Sequence, residues 1–196
     1  LRASSQMISY ELSLGMSIIG VLMLVGSLRL SEVVAYQTGS LFSILPRWNI
    51  FTQPLGFLIF LIASFAETNR LPFDLPETEP ELVGGYHTEY SSMKFAMFFM
   101  GEYVALITTS ALLTTLFLGG WDVPWVDEAA LGAWGVLLSM AAFAAKTGFF
   151  LFLFLWVRWT LPRFRFDQLM HLGWKVLLPL AIVNILATGL FLYLAA

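Results

Sequence analysis

The amino-acid sequence predicts an all-α integral membrane protein. Of its 196 residues, 59% are hydrophobic and only 12% are charged, and the mean hydropathy is +0.81. Soluble domains carry about twice that share of charged residues. The apolar runs have the length of helices that cross a bilayer, whereas a β-barrel would show short segments of alternating hydrophobicity.

Five spanning helices are expected in a single domain that covers residues 1–196. They are predicted at about residues 7–28, 48–66, 95–118, 133–157 and 173–194. The second is short and carries Pro54 and Gly56 near its start. The chain opens at Leu1 and runs quickly into apolar sequence, which predicts a fragment that lacks its N-terminal helices.

The distribution of Lys and Arg predicts which helix ends face the cytoplasm. Seven basic residues would lie on one side of the membrane, and only Arg29 and Arg47 on the other. Basic residues concentrate on the cytoplasmic side. Loops 67–94 and 158–172 are therefore expected in the cytoplasm. The opposite loop, 119–130, has acidic residues and two tryptophans, as is typical of an outside loop.

The loop 67–94 is the most acidic part of the chain and contains six of its thirteen acidic residues. Its prolines at 72, 76 and 80 exclude a regular helix through the first half. Loops of this length are usually functional or disordered, and its many apolar residues argue against disorder. Glu77, Glu79 and Glu81 alternate, so an extended backbone would point all three one way. A solvated loop face is the ordinary alternative to a functional row.

Charged residues in or beside spanning helices are costly there and often mark ion paths. Glu11, Glu67 and Glu102 approach the membrane from the cytoplasmic side on three different helices. If they converge, they form an acidic path that can hold and pass protons. The alternative is that each glutamate extends to the lipid headgroups or pairs with a nearby base.

Lys146 is the fourth charged candidate. It is expected near the middle of the membrane, about eleven residues from the cytoplasmic end of its helix. A lysine at that depth needs a partner. No carboxylate of this chain is predicted to lie as deep, so a partner outside the chain is expected.

Several other kinds of chemistry are excluded by the sequence. The chain has no cysteine, so it has no disulfide, no thiolate nucleophile and no cysteine-held iron–sulfur cluster. The two histidines lack metal-ligand spacing, and no metal site is predicted. The net charge of −3 without a basic stripe argues against nucleic-acid binding. No nucleophilic triad, phosphate-binding loop or dinucleotide fold is visible, so redox chemistry would belong to partners.

Three blocks of the sequence resemble one family. They are AETNRLPFDLPE at 66–77 with ELVGGY and EYS following it, PRFRFDQ at 162–168, and RA with QMISYE at 2–11. Together they resemble the quinone-site membrane subunit of respiratory complex I. This family comprises the H subunit of bacterial NADH–quinone oxidoreductase and mitochondrial NADH dehydrogenase subunit 1. The family has eight transmembrane helices, of which this chain would supply the last five.

The resemblance implies a subunit of an enzyme that couples quinone reduction to proton translocation. The substrate would be a quinone bound at the interface with the hydrophilic arm, while NADH, FMN and iron–sulfur clusters would be held by partner subunits. The other partners would be antiporter-like membrane subunits and lipid, in the inner membrane of a bacterium. By position, the residues that line or support the quinone chamber would be Arg70, Phe73, Asp74, Glu77, Glu79, Glu81 and Glu89.

The same resemblance assigns two further groups of residues. Glu11, Glu67 and Glu102 would lead protons from the chamber into the membrane, and Lys146 is placed on the same path. Arg163, Arg165 and Asp167 would contact the hydrophilic partners.

Two other functions remain open. A membrane anchor of an energy-converting hydrogenase or formate hydrogenlyase would share the proline-rich acidic loop without needing quinone or NADH, but both loop signatures match the quinone-site family closely. A stand-alone ion transporter would need only buried charges such as Glu102 and Lys146. The lack of an inverted repeat argues against the transporter.

Overall fold

The computed structural model describes residues 2–41, 45–68, 73, 90–126, 132–162 and 164–195. Over these ranges the chain is helical apart from turns and one pair of two-residue antiparallel strands, which confirms the all-α prediction. The helices are α1 Arg2–Val25, α2 Leu30–Gln37, α3 Asn49–Thr52, α4 Pro54–Glu67, α5 Met93–Phe117, α6 Ala133–Thr160, α7 Phe166–His171 and α8 Leu178–Ala195. The strands are β1 Ser40–Leu41 and β2 Leu45–Pro46, and a π-helical segment, Leu172–Leu177, joins α7 to α8.

Four helical runs are long and apolar enough to cross a membrane. They are Ser5–Val25, Met93–Phe117, Ala133–Thr160 and Phe166–Leu194. The structure divides the predicted second span, 48–66, into α3 and α4 at Gln53, whose backbone is not helical (φ −132°, ψ 57°). Pro54, which has no N–H to donate, is the first residue of α4. With 14 residues, α4 is about 21 Å long and shorter than the bilayer core of about 30 Å.

The last span begins earlier than the predicted residue 173. Within the predicted loop 158–172, the chain turns at residues 161–165 and starts α7 at Phe166. The side-chain oxygen of Gln168 accepts a hydrogen bond from the backbone N–H of Arg165 at 3.2 Å. This bond satisfies one donor at the helix start, so α7 can begin before the apolar run.

The helices α1, α4 and α8 pack together as one unit because α1 presents small residues to its neighbours. Ser9, Ser13 and Ser17 are buried at four-residue spacing, which places them on one face of the helix. Gly20 continues this face and lies against the side chains of Gln53 and Asn184. Small residues let helix backbones approach closely in membranes.

Aromatic rings join this unit to the antiparallel pair α5 and α6. The ring of Phe57 lies 5.4 Å from that of Phe117 on α5 and 6.2 Å from that of Phe150 on α6. Nearer the end of α4, the rings of Phe65 and Phe154 are 4.3 Å apart. These contacts fix the height of α4 relative to α6.

The end of the bundle that carries α2 is held by one buried amide. The side-chain oxygen of Gln37 accepts hydrogen bonds from the backbone N–H groups of Asn49 (3.1 Å) and Gly119 (2.9 Å). Its Nε2 donates to the carbonyl oxygen of Thr115 at 3.0 Å. Gly119 has a φ of +72°, which suits glycine at the turn after α5. Gln37 thereby ties α2, α3 and the end of α5 together.

Candidate functional site

Glu67 is the last residue of α4, where the helix meets the acidic loop 67–94. The hydroxyl of Thr68 donates back to the carbonyl oxygen of Ser64 at 3.0 Å, which helps to satisfy the carbonyl groups at the end of the helix. One carboxylate oxygen of Glu67, Oε2, is buried and has no hydrogen-bond partner among the described residues. A buried carboxylate oxygen in this position favours the protonated form.

The structure brings Glu11 and Glu67 together. Glu11 lies on an exposed face of α1, and its carboxylate is close enough to repel that of Glu67. Glu67 lies outside the four spanning runs, and burial, followed by this repulsion, raises the pKa of its carboxyl group. Two carboxylates that interact in this way respond together to a nearby change of charge.

Glu102 lies at the same end of the bundle on α5. The helices α5 and α6 run antiparallel, and the hydroxyl oxygens of Thr114 and Thr147 are 3.4 Å apart. Counting from this pair toward the other ends of the two helices places Glu102 level with Trp159. Glu102 is partly buried, whereas the residues on either side of it, Gly101 and Tyr103, are exposed.

The height of Glu67 follows from the same helix, α6. Because α4 and α6 run in the same direction and Phe65 packs on Phe154, Glu67 is level with Trp156. Trp156 and Trp159 are separated by about 5 Å along a helix. Glu67 and Glu102 therefore lie within about one helical turn of each other in height, on different helices.

Lys146 is bound at the opposite end of the bundle. Its ammonium group donates to the carbonyl oxygens of Leu118 (2.8 Å), Gly120 (3.1 Å) and Asp122 (2.6 Å). It also lies 4.7 Å from the ring centroid of Trp48. An ammonium group has three N–H donors, and this turn supplies three acceptors. The structure corrects the expectation that its partner lies outside the chain.

Phe73 is the one described residue among the predicted chamber residues. Its backbone carbonyl oxygen accepts a hydrogen bond from Nε2 of Gln6 at 2.9 Å. Its ring is 4% exposed and lies 5.5 Å from that of Tyr10 and 5.8 Å from that of Phe164. Phe73 therefore fixes its point of the loop against α1 and the chain before α7. The other predicted chamber residues, Arg70, Asp74, Glu77, Glu79, Glu81 and Glu89, lie outside the described residues, as does Arg163.

Arg165 and Asp167 are exposed at the start of α7. The hydroxyl of Tyr10 donates to the carbonyl oxygen of Leu169 at 2.8 Å and holds α7 against α1. This contact places Arg165 and Asp167 at the same end of the bundle as Phe73. No group of three potential metal ligands occurs in the part of the chain that the structure describes.

Gln6 and Tyr10, which position Phe73 and α7, were not among the site residues predicted from the sequence. Both lie in the block QMISYE, where polar side chains begin an otherwise apolar helix. Gln6 is 1% exposed and Tyr10 is fully buried. Polar groups at the buried face of a spanning helix are a usable signal, because they need hydrogen-bond partners.

Comparison with known proteins identifies the family. A family model described as NADH dehydrogenase matches residues 1–189, and the chain belongs to that family. The chain is 52% identical over 190 residues to H-subunit 1 of the NADH-quinone oxidoreductase of Cytophaga hutchinsonii, and the match covers 96% of this chain and 54% of that protein. It is 54% identical over 194 residues to H-subunit 1 of the NADH-quinone oxidoreductase of Geobacter metallireducens, with 99% and 54% covered.

A third relative is NADH-quinone oxidoreductase subunit 8 of Rhodothermus marinus, which is 52% identical over 198 residues, with 97% of this chain and 57% of the relative covered. The chain spans about half the length of the curated relatives it matches. The resemblance found in the three sequence blocks is thereby confirmed.

Proposed function

We propose that this chain is part of the membrane subunit of a proton-pumping NADH:quinone oxidoreductase in the inner membrane of a bacterium. In this proposal it forms part of the quinone chamber and passes the effect of quinone reduction to buried glutamates. The names of its relatives support the enzyme class. The observation that carries the coupling role is the pair Glu11 and Glu67, at the point where α4 meets the acidic loop.

The proposed coupling is electrostatic. Electrons reach the quinone from clusters in partner subunits, and reduction changes the charge in a chamber beside Glu67. Charge interactions are strong where little water screens them, so such a change alters the proton affinity of Glu67 and of Glu11 with it. Glu102 lies at a similar height and would receive or supply the proton. Antiporter-like neighbouring subunits would then move protons across the membrane.

Lys146 has a different place in this proposal. Its ammonium is held by three carbonyl oxygens at the end of the bundle away from Glu67. An ammonium that donates three hydrogen bonds is stabilised in its charged form. We therefore assign Lys146 to support of the membrane domain, and the carboxylates to proton transfer.

The direct test is proton pumping by the assembled complex that carries Glu67→Gln or Glu11→Gln in the full-length subunit. Assembly is checked by native gel, and NADH:quinone reductase activity and pumping are measured in proteoliposomes. Glu32→Gln, an exposed glutamate on α2 that pairs with Arg29, is the control. We expect Glu67→Gln to lower pumping and coupled turnover in a complex that assembles normally. Normal pumping by both variants would remove the pair from the path.

A second experiment separates the proposal from a hydrogenase anchor. A photoreactive quinone analogue is bound to the assembled complex, irradiated, and its adducts are mapped by mass spectrometry. Labelling within residues 67–94, suppressed by excess quinone, supports a quinone chamber. Labelling confined to other subunits would contradict the contribution of this loop to the chamber.

A further inference from the structure

A cavity lies at the end of the bundle away from Glu67, between α1, the α2–α3 region and α8. It encloses about 430 Å³. Its walls combine one cation and three polar side chains with apolar groups. The residues that line it are Leu24, Tyr36, Arg47, Thr52, Gln53, Pro54, Asn184, Ala187, Thr188 and Phe191.

The cation of this cavity is Arg47. Its guanidinium carbon lies 4.3 Å from the ring centroid of Tyr36, which holds the planar group at the cavity wall. The described residues that line the cavity include no aspartate or glutamate. The other basic residue of this region, Arg29, instead forms an ion pair with Glu32 at 3.5 Å. An exposed guanidinium at a cavity without acidic lining is complementary to an anion, and its planar fork suits a phosphate.

The polar floor is a connected and buried network. Nε2 of Gln53 donates to the hydroxyl of Thr188 at 2.7 Å, and Nδ2 of Asn184 donates to the side-chain oxygen of Gln53 at 2.9 Å. The three residues are 5–7% exposed. Each amide nitrogen carries two hydrogens, of which one is used in these bonds. The second hydrogen of each can be donated to a carbonyl oxygen in the cavity.

The remaining wall is apolar and continues onto the outer surface of α8. Leu24, Ala187 and Phe191 line the cavity, and Phe191 is 65% exposed. Leu190 and Leu194 are also exposed on this last part of α8. In a helix long and apolar enough to span a membrane, such a surface faces hydrocarbon.

We propose that this cavity binds an anionic phospholipid. The phosphate contacts Arg47, the amide groups of Gln53 and Asn184 face the ester carbonyl groups of the glycerol, and one acyl chain follows Leu24 and Phe191. Charge, hydrogen-bond donors and apolar wall then follow each other in the order found along a lipid molecule. The proposal does not depend on the proposed enzymatic function, because the cavity lies at the other end of the bundle from Glu67.

The test is photo-crosslinking in the complete complex. Phe191 of the full-length subunit is replaced by a photoreactive phenylalanine analogue, and the complex is reconstituted in vesicles of phosphatidylglycerol or of phosphatidylcholine. After irradiation, adducts are identified by mass spectrometry. We expect a phosphatidylglycerol adduct, and in mixed vesicles about tenfold less adduct with phosphatidylcholine, since the loss of one charge-assisted contact is of this order.

Variants of Arg47 connect the adduct to the cavity. Arg47→Gln should lower the phosphatidylglycerol adduct about tenfold, and Arg47→Lys should retain part of it. The matched control Arg29→Gln removes a positive charge from the same end of the molecule and should leave the adduct unchanged. If Arg47→Gln does not assemble, the choice between the two lipids in the complex with native Arg47 decides the matter.

Three outcomes would overturn the proposal. A crosslink to a peptide of this subunit or of a neighbouring subunit would show that protein fills the cavity. Equal adducts with both lipids, insensitive to Arg47, would show contact with bulk lipid only. The absence of any lipid adduct would show that the cavity holds no lipid.

Discussion

Nε2 of Gln6 donates a hydrogen bond to the carbonyl oxygen of Phe73 over 2.9 Å, between residues 67 positions apart in the chain. The bond joins the first turns of α1 to the loop that follows α4. It lies beside the contact between the rings of Tyr10 and Phe73. The acidic loop is thus attached to the membrane domain at a defined point, near the pair Glu11 and Glu67.

Replacing Phe73 by alanine should weaken this attachment strongly. The ring is buried against two other aromatic rings, and truncation of a buried phenylalanine costs about 3–5 kcal/mol. Thermal unfolding of the assembled complex, followed by quinone reductase activity after heating, measures the loss. Phe152→Ala, at a ring that is 61% exposed on α6, is the control and should cost far less. Equal losses would mean that Phe73 is not an anchor.

Lys146→Met should destabilise the membrane domain without lowering the protons pumped per electron. The substitution leaves the carbonyl oxygens of Leu118, Gly120 and Asp122 without this donor, and an unmade buried bond costs about 1–3 kcal/mol. Thermal stability and pumping stoichiometry are measured on the same preparation. Lys175→Met, at an exposed lysine near α7, is the control.

A lower pumping ratio with unchanged stability in Lys146→Met would give the opposite assignment. Lys146 would then carry protons, which is the role that the resemblance to the quinone-site family predicts for it.

Glu67→Gln should stabilise the protein increasingly as the pH rises. The carboxyl group of Glu67 has a raised pKa in the folded protein, whereas in the unfolded chain it titrates near its ordinary value of 4.5. Below pH 4.5 it is protonated in both states, so charge costs nothing. As the pH rises through the raised pKa, the folded protein must hold a partly buried charge and loses stability. Glutamine stays neutral and avoids this loss.

The measurement is the thermal midpoint of the native complex and the Glu67→Gln complex between pH 4 and pH 9. The midpoint difference should grow from about pH 4.5 upward and then level off. Glu32→Gln controls for the removal of one negative charge. A difference that stays constant with pH would mean that burial does not penalise the Glu67 carboxylate.

Two glycines of α1 should respond oppositely to alanine. A Cβ at Gly20 would lie 2.8 Å from Nδ2 of Asn184 and 3.1 Å from Oε1 of Gln53, so these buried amides would have to move. A Cβ at Gly15 meets nothing within 4 Å. Alanine favours a helix over glycine by about 1 kcal/mol. Gly15→Ala should therefore preserve or raise thermal stability, whereas Gly20→Ala should lower it. An equal gain from both would show that the amide network moves freely.

The class of protein, the family and the end of the bundle where chemistry is expected could all be predicted from the amino-acid sequence. Its apolar runs are recognised locally, because a bilayer imposes both the length of a spanning segment and the internal pairing of its backbone. The acidic block after Glu67 was also visible in the chain without reference to any contact. These features depend on residues that are neighbours in sequence, which is why no tertiary information was needed for them.

Which charged groups work together became clear only from the folded chain. The break at Gln53, the three carbonyl partners of Lys146 and the contact between Gln6 and Phe73 all depend on how the helices pack. Helical periodicity predicts which face of a helix is polar, but not which neighbour that face meets. The depth of Lys146 led to the expectation of an external carboxylate, whereas the folded chain satisfies the ammonium with its own carbonyl oxygens. A buried polar group pairs with whatever the packing brings within hydrogen-bond distance, and packing is a property of the folded molecule.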